Sequence, residues 1–153
     1  MKLKEYIISP HKRVMYYYRL SERFRSKGGV FLTVSNLIRA HLKIKYSIEF
    51  NNNERIGEGL KIYHYNGITI GEGCLIGRDC TIYNQVTIGG KRQSDGIVRY
   101  PKIGNRVTIY AGARVIGNIE IGDDVVIGPN TVVFKSIKSG TTVVASNSLH
   151  YLK

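Results

Sequence analysis

Ile103-Gly-Asn-Arg-Val-Thr-Ile109-Tyr-Ala-Gly-Ala-Arg-Val115-Ile-Gly-Asn-Ile-Glu-Ile121-Gly-Asp-Asp-Val-Val-Ile127-Gly-Pro-Asn-Thr-Val-Val133 returns a branched aliphatic residue at every sixth position. Four residues after each one stands a small or branched residue: Val107, Ala113, Ile119, Val125 and Thr131. The same period runs upstream through Ile70, Ile76, Ile82 and Ile88, and earlier still through Ile56 and Ile62. Neither a 3.6-residue helix nor plain strand alternation sustains a period of six. Short strands joined by turns and stacked as a solenoid do, so the chain reads as a mainly β, hexapeptide-repeat parallel β-helix. Each repeat buries its aliphatic residue only against the coil above and below, which makes the array one cooperative unit. The twelve hexads of Ile56–Val133, at three per coil, predict about four coils.

Two interruptions carry the functional signal. Ile62 and Ile70 are eight apart, which places two extra residues just after His64. Ile88 and Ile103 are fifteen apart, so residues 90–102 leave the coil as one extended loop. Insertions in repeat proteins collect on the working face.

Residues 1–47 read as a helical cap, residues 48–145 as the repeat domain, and residues 146–153 as a short tail. Ser9-Pro10 suits a helix start. Val14, Tyr17, Tyr18, Leu20 and Phe24 follow at helical spacing, and Gly28-Gly29 breaks the helix. A second helix runs through Phe31, Val34, Leu37, Ile38 and Leu42, its apolar face expected over the open end of the coils. A basic, tyrosine-rich helix also suits an anionic membrane surface.

The chain has a formal charge of +12, with 23 Lys+Arg against 11 Asp+Glu. The excess is greatest at the start: residues 1–55 hold 12 cations and 4 acids, a net of +8. Such a balance suits anionic partners, among them nucleotide phosphates, acidic glycans or a membrane surface. A merely basic soluble protein is the plain alternative. No nucleic-acid-binding signature is present. Cys74 and Cys80 occupy the small inward position of consecutive repeats and read as packing residues. No apolar run approaches the ~20 residues of a spanning helix. The first residues lack an apolar signal core, so the expected compartment is the cytoplasm.

Of four histidines, His11, His41 and His150 lie outside the array, while His64 lies at its first interruption, flanked by Tyr63 and Tyr65. Histidine is the usual general base near neutral pH; a surface role is the plain alternative. A single array histidine and two inward cysteines do not make a zinc site, so no metal is expected. Gly89-Gly90-Lys91-Arg92 is glycine-rich and basic without Walker spacing. Its amides and cations suit phosphate or pantetheine groups.

From about Tyr46 to Ala145 the chain resembles the left-handed β-helix acyltransferases, most closely serine O-acetyltransferase. The resemblance is carried by Glu49 in Ile-Glu-Phe-Asn, by Gly59-Leu-Lys-Ile-Tyr-His64 and Gly67-Ile-Thr-Ile-Gly-Glu72, by Gln85-Val-Thr-Ile-Gly-Gly90, by Arg99-Tyr-Pro-Lys-Ile103, and by Ala111-Gly-Ala-Arg-Val-Ile-Gly-Asn-Ile-Glu120. It implies a left-handed coil, a homotrimer with sites between neighbouring subunits, and direct acetyl transfer from acetyl-CoA to an acceptor hydroxyl. His64 stands where the family has its general base, and Glu49 where an aspartate orients it. Gly89 and Gly90 would stabilise an oxyanion. Ala111, Gly112 and Ala113 would admit the pantetheine arm, and Lys135, with Arg114 and Arg92, would face the phosphates.

The departures concern the acceptor. The family has an aspartate before its catalytic histidine, where this chain has Tyr63, and a histidine before the loop-exit proline, where it has Tyr100. Loss of a carboxylate removes the partner of a substrate ammonium, whereas tyrosines offer flat faces with a hydroxyl tip. The expected acceptor is therefore a sugar hydroxyl in polysaccharide or lipid-linked glycan biosynthesis, with Tyr63, Tyr100 and Arg99 on the acceptor side. Serine is the alternative acceptor, and a non-catalytic trimeric scaffold or anionic-surface binder is the alternative to an enzyme. Residues 146–153 leave no room for the long tail by which the family's enzymes dock cysteine synthase, and Ser146-Asn-Ser-Leu149 replaces the usual Gly-x-Pro-Ala exit.

Overall fold

The computed structural model describes residues 10–145. The tail 146–153, with His150 and the Ser146–Leu149 exit, and the Ser9 cap lie outside the described residues.

Three parallel sheets form the walls of a solenoid. The first stacks Ile48–Phe50, Ile68–Ile70, Thr87–Gly89, Arg114–Ile116 and Val132–Val133. The second stacks Arg55–Ile56, Leu75–Ile76, Lys102–Ile103 and Glu120–Ile121, and Ile137 adds a bridge to Ile121. The third stacks Lys61–Ile62, Thr81–Ile82, Thr108–Ile109, Val126–Ile127 and Thr142–Val143. Register places like over like: Ile56 on Ile76, Ile62 on Ile82, Ile70 on Ile88. These side chains are buried along one axial core. Each contributes about 1.5–3 kcal/mol relative to exposure.

The solenoid has five rungs where the hexad count predicts about four. Phe50 occupies the aliphatic position six before Ile56, so a rung begins before the readable repeats. At the other end, Ile137 and Val143 resume the period after a four-residue step. Cys74 and Cys80 are buried and free, and burial pushes the Cys74 thiol up to about 12.

Helix α1 (Pro10–Arg25) and helix α2 (Phe31–Tyr46) turn back on each other at Gly28 and Gly29, both with positive φ. They cover the first rung. Tyr18 packs on Phe50 at 4.7 Å between ring centroids, and Arg19 donates to the Gly57 carbonyl at 2.6 Å. The face of α2 turned to the coil differs from the one its apolar residues suggest. Ser35, Arg39, Leu42 and Tyr46 are buried, while Leu37 points away. Ion pairing is the reason. Buried Arg39 donates to Glu54 Oε1 at 2.7 Å, to the Phe50 carbonyl at 3.2 Å and to Glu22, which locks both helices to the coil entry. Burial raises the Glu54 carboxyl above its ordinary range, with Arg39 opposing it. The helix then ends at Ser47, whose left-handed backbone (φ 51°) returns its N–H to Leu42 and Lys43 carbonyls.

Within residues 90–102, expected as one extended loop, residues 91–99 form a β-hairpin, and Lys102 already belongs to the second sheet. Lys91 and Arg92 pair antiparallel with Arg99 and Val98. Asp95 closes the tip, accepting from the Ile97 N–H at 2.9 Å and from Arg99 Nη2 at 2.6 Å.

Candidate active site

His64 follows the strand Lys61–Ile62, at the corner where the third sheet passes to the first. One rung below, Ile82 reaches Ile88 in six residues, whereas Ile62 needs eight to reach Ile70. The surplus bulges outward and leaves His64 exposed, in the left-handed region (φ 53°). The bulge is anchored on both flanks. The Tyr63 N–H donates to the Ile82 carbonyl at 2.9 Å, and the Gly67 N–H to the Ser47 carbonyl at 3.0 Å. Tyr65 packs against Tyr46 at 5.4 Å. A fixed backbone with an exposed imidazole suits a general base.

Tyr63 is the top of an aromatic column. It stacks on Tyr83 at 5.4 Å, and Tyr83 stacks on Tyr110 at 4.9 Å, one ring per rung. The His64 ring lies 6.3 Å from Tyr83. Sequence reasoning missed Tyr83 and Tyr110. The signal was present, since each follows the aliphatic residue of its rung (Ile82, Ile109) just as Tyr63 follows Ile62. Stacking of this kind contributes about 0.5–1.5 kcal/mol per pair. It also covers one face of Tyr63, so the ring offers its edge and hydroxyl more than the flat surface expected of it.

Glu49 lies on the outward face of the first sheet, beside Thr69 in register. Its carboxylate pairs with Lys43 Nζ at 3.0 Å, and no hydrogen bond joins it to His64 among the described residues. Lys43 projects from the last turn of α2 over this strand, and the longer glutamate side chain reaches it.

The hairpin leaves the opposite edge of that sheet, after Thr87–Gly89. Tyr100 wedges its base against the coil: a Cβ on Gly71, Gly73 or Gly90 would meet its ring at 3.2, 3.1 or 2.7 Å. Tyr100 therefore packs, and it fixes the hairpin. Arg99 is tied to Asp95. Lys135 is exposed at the same edge, beyond Val132–Val133, next to exposed Phe134. Arg114 and Val132 are in register on the outward face between the edges. Exposed apolar Val132 and Phe134 bounded by Arg114 and Lys135 suit an elongated ligand with an apolar arm and an anionic end.

Ala113 departs from its expected role. It is fully buried inside the coil, because the position four after the aliphatic residue points inward, and its carbonyl accepts from the Thr87 N–H at 3.0 Å. Gly112, also buried, serves the corner, with φ +71° and Asn130 Oδ1 2.1 Å from where a Cβ would stand. Ala111 alone of the three is partly exposed.

The chain thus divides its candidate residues between two edges of one sheet. Tyr63, His64 and Ala111 precede the strands; Gly89 ends one, and Gly90, Arg99, Tyr100 and Lys135 follow them or belong to the hairpin. Three-residue strands and their corners separate the groups by roughly 15 Å at ~3.3 Å per residue. Among the described residues, no three His, Cys, Asp or Glu side chains gather as a metal site.

Residues 100–135 match the bacterial transferase hexapeptide (six repeats) family model. The serine acetyltransferase of Helicobacter pylori is 37% identical over 142 residues, covering 93% of this chain and 81% of that protein. Serine acetyltransferase of Neisseria gonorrhoeae in complex with serine superposes with a TM-score of 0.82 at 28% identity, over 94% of this chain and 57% of that one. A serine acetyltransferase in complex with CoA gives a TM-score of 0.75 at 26% identity, over 88% and 53%. The chain spans a little over half the length of those two solved proteins. With the five-rung coil, the hairpin and His64 in place, the chain belongs to the serine acetyltransferase family of hexapeptide-repeat acyltransferases.

Proposed function

We propose that the protein is an acetyl-CoA-dependent O-acetyltransferase in which His64 is the general base. One observation carries this: the two-residue surplus between Ile62 and Ile70 projects a histidine, exposed, beside the first sheet. Acetyl-CoA supplies an activated acetyl thioester. An imidazole nitrogen of His64 takes the proton of the acceptor hydroxyl as its oxygen bonds to the acetyl carbon, and returns it to the departing thiolate. No acyl-enzyme is required. The Gly90 amide faces the carbonyl oxygen as negative charge develops there, whereas Gly89, in register with Ile116, keeps its amide in the sheet ladder. Arg114 and Lys135 hold the cofactor's anionic end, with Val132 and Phe134 along its arm.

Because His64 and the hairpin leave opposite edges of one sheet, a single copy does not assemble this site. In a homotrimer of such prisms, the hairpin edge of one copy meets the His64 edge of the next. Glu49 joins the site by exchanging Lys43 for His64.

Serine is the acceptor that the relatives favour, since their names and the serine complex point to it. A second reading, a sugar hydroxyl, is favoured by the exposed edge and hydroxyl of Tyr63, which stand where a carboxylate would pair a substrate ammonium. Free-thiol release from acetyl-CoA, measured with serine and then with sugars and nucleotide sugars, separates them. Release with serine alone upholds the first reading. Release with a sugar and none with serine upholds the second.

A further inference from the structure

Helix α2 is apolar on the side that turns away from the core. Val30, immediately before it, and Leu37 and Ile44 within it are 74, 65 and 84% exposed. Spaced seven apart, they lie in one line along the helix. Val34 and Ile38 flank that line and, with Leu37, Tyr17 and His41, surround a shallow hollow of about 300 Å³. Phe31 and Leu32 extend the surface at the helix start, each more than a third exposed. A surface helix ordinarily carries its polar residues on this side.

Charge decides what such a face meets. Helix α2 contains no acidic residue, and Glu22, the one acid of α1, is bound by Arg39. Residues 10–47 carry nine cations (Lys12, Arg13, Arg19, Arg23, Arg25, Lys27, Arg39, Lys43 and Lys45) against that single acid, with Arg39 also bound to Glu54 and Lys43 to Glu49. Lys27 lies over the Phe24 and Phe31 rings at 5.9 and 5.0 Å, and Lys45 over Tyr46 at 5.8 Å, so cations border the apolar stripe. Pairing with the α2 of a second copy would bring these cations together with no carboxylate on either helix to offset them. Anionic lipid matches both features: the stripe enters the acyl boundary and the lysines meet headgroups.

We propose that the outward face of α2 docks the protein peripherally on an anionic bilayer. The test is co-sedimentation of the full chain with phosphatidylcholine vesicles, with and without phosphatidylserine, across a salt series. The expected result is binding only to the phosphatidylserine vesicles, weakening with salt. Leu37→Glu/Ile44→Glu should lower that binding at least tenfold while circular dichroism, thermal midpoint and solution mass stay unchanged. Leu37→Ser/Ile44→Ser serves the same purpose if the charged pair misfolds. Absence of binding to anionic vesicles, or equal binding by a folded variant, overturns the proposal. A changed solution mass in the variants also overturns it, because the stripe would then be an interface between copies.

Discussion

His64 and the two cysteines show how position within a rung decides a side chain's chemistry. His64 belongs to the two-residue surplus at a corner, so it faces solvent with its backbone fixed. Cys74 and Cys80 stand four after an aliphatic residue, so they face the core, where desolvation raises both thiols. A thiol pushed up to about 12 presents almost no thiolate at neutral pH. Alkylation at pH 8 should therefore leave both cysteines unmodified in the native protein and modify both in denaturant. Rapid native modification of Cys74 would show that the coil opens there. The inward position of the cysteines and the place of His64 at an interruption were legible from the period. The partner of Glu49 was not, because Lys43 comes from a helix whose rotation the apolar pattern misreads: Arg39, drawn inward by Glu22 and Glu54, sets that rotation.

Among the elements, the coils were readable because every rung repeats the same burial, and register follows from it. The period hid two ends. Phe50 fills an aliphatic position without being branched, and Ile137 resumes the series out of step. The hairpin was invisible as strands because Lys91, Arg92, Val98 and Arg99 bury little and show no alternation. Close stacking gives the glycines that follow the aliphatic positions a steric role. A Cβ at Gly77 would lie 2.4 Å from the Gly104 carbonyl oxygen of the next rung, which is backbone and cannot swing aside. Gly77→Ala should destabilise the protein by about 1–3 kcal/mol, read as a lower denaturant midpoint. Gly96→Ala, at the hairpin tip with open space but a φ of +79°, should cost only the backbone strain of the left-handed region, about 1–2 kcal/mol, carried by the hairpin turn and not by contact between rungs. Equal midpoints for Gly77→Ala and the parent would show that the rungs are less tightly stacked than described.

For the whole molecule, the consequence of a three-walled coil is that its two irregular features emerge at different edges. Joined through a neighbouring copy, as proposed, they lead to a prediction about mixtures. His64→Ala chains and Arg99→Ala/Tyr100→Ala chains should each lose activity, and co-expression should restore part of it, because some mixed trimers contain one intact site. No recovery in mixtures of correct solution mass would place both features in one subunit's site. The acceptor was the least legible part. Tyr63 in place of a carboxylate pointed to a sugar, whereas the relatives point to serine, and the tyrosine column reveals that Tyr63 also has a packing role.

The role proposed for His64 is that of general base in acetyl transfer. The most direct measurement is thiol release from acetyl-CoA by the parent protein and by His64→Ala, with whichever acceptor supports turnover. Removal of a positioned general base costs typically about 10²–10⁴-fold, and the thermal midpoint should not move, because His64 is exposed at a corner. A drop of that size in a fully folded variant is the result the account predicts. Turnover within a few-fold of the parent would contradict it.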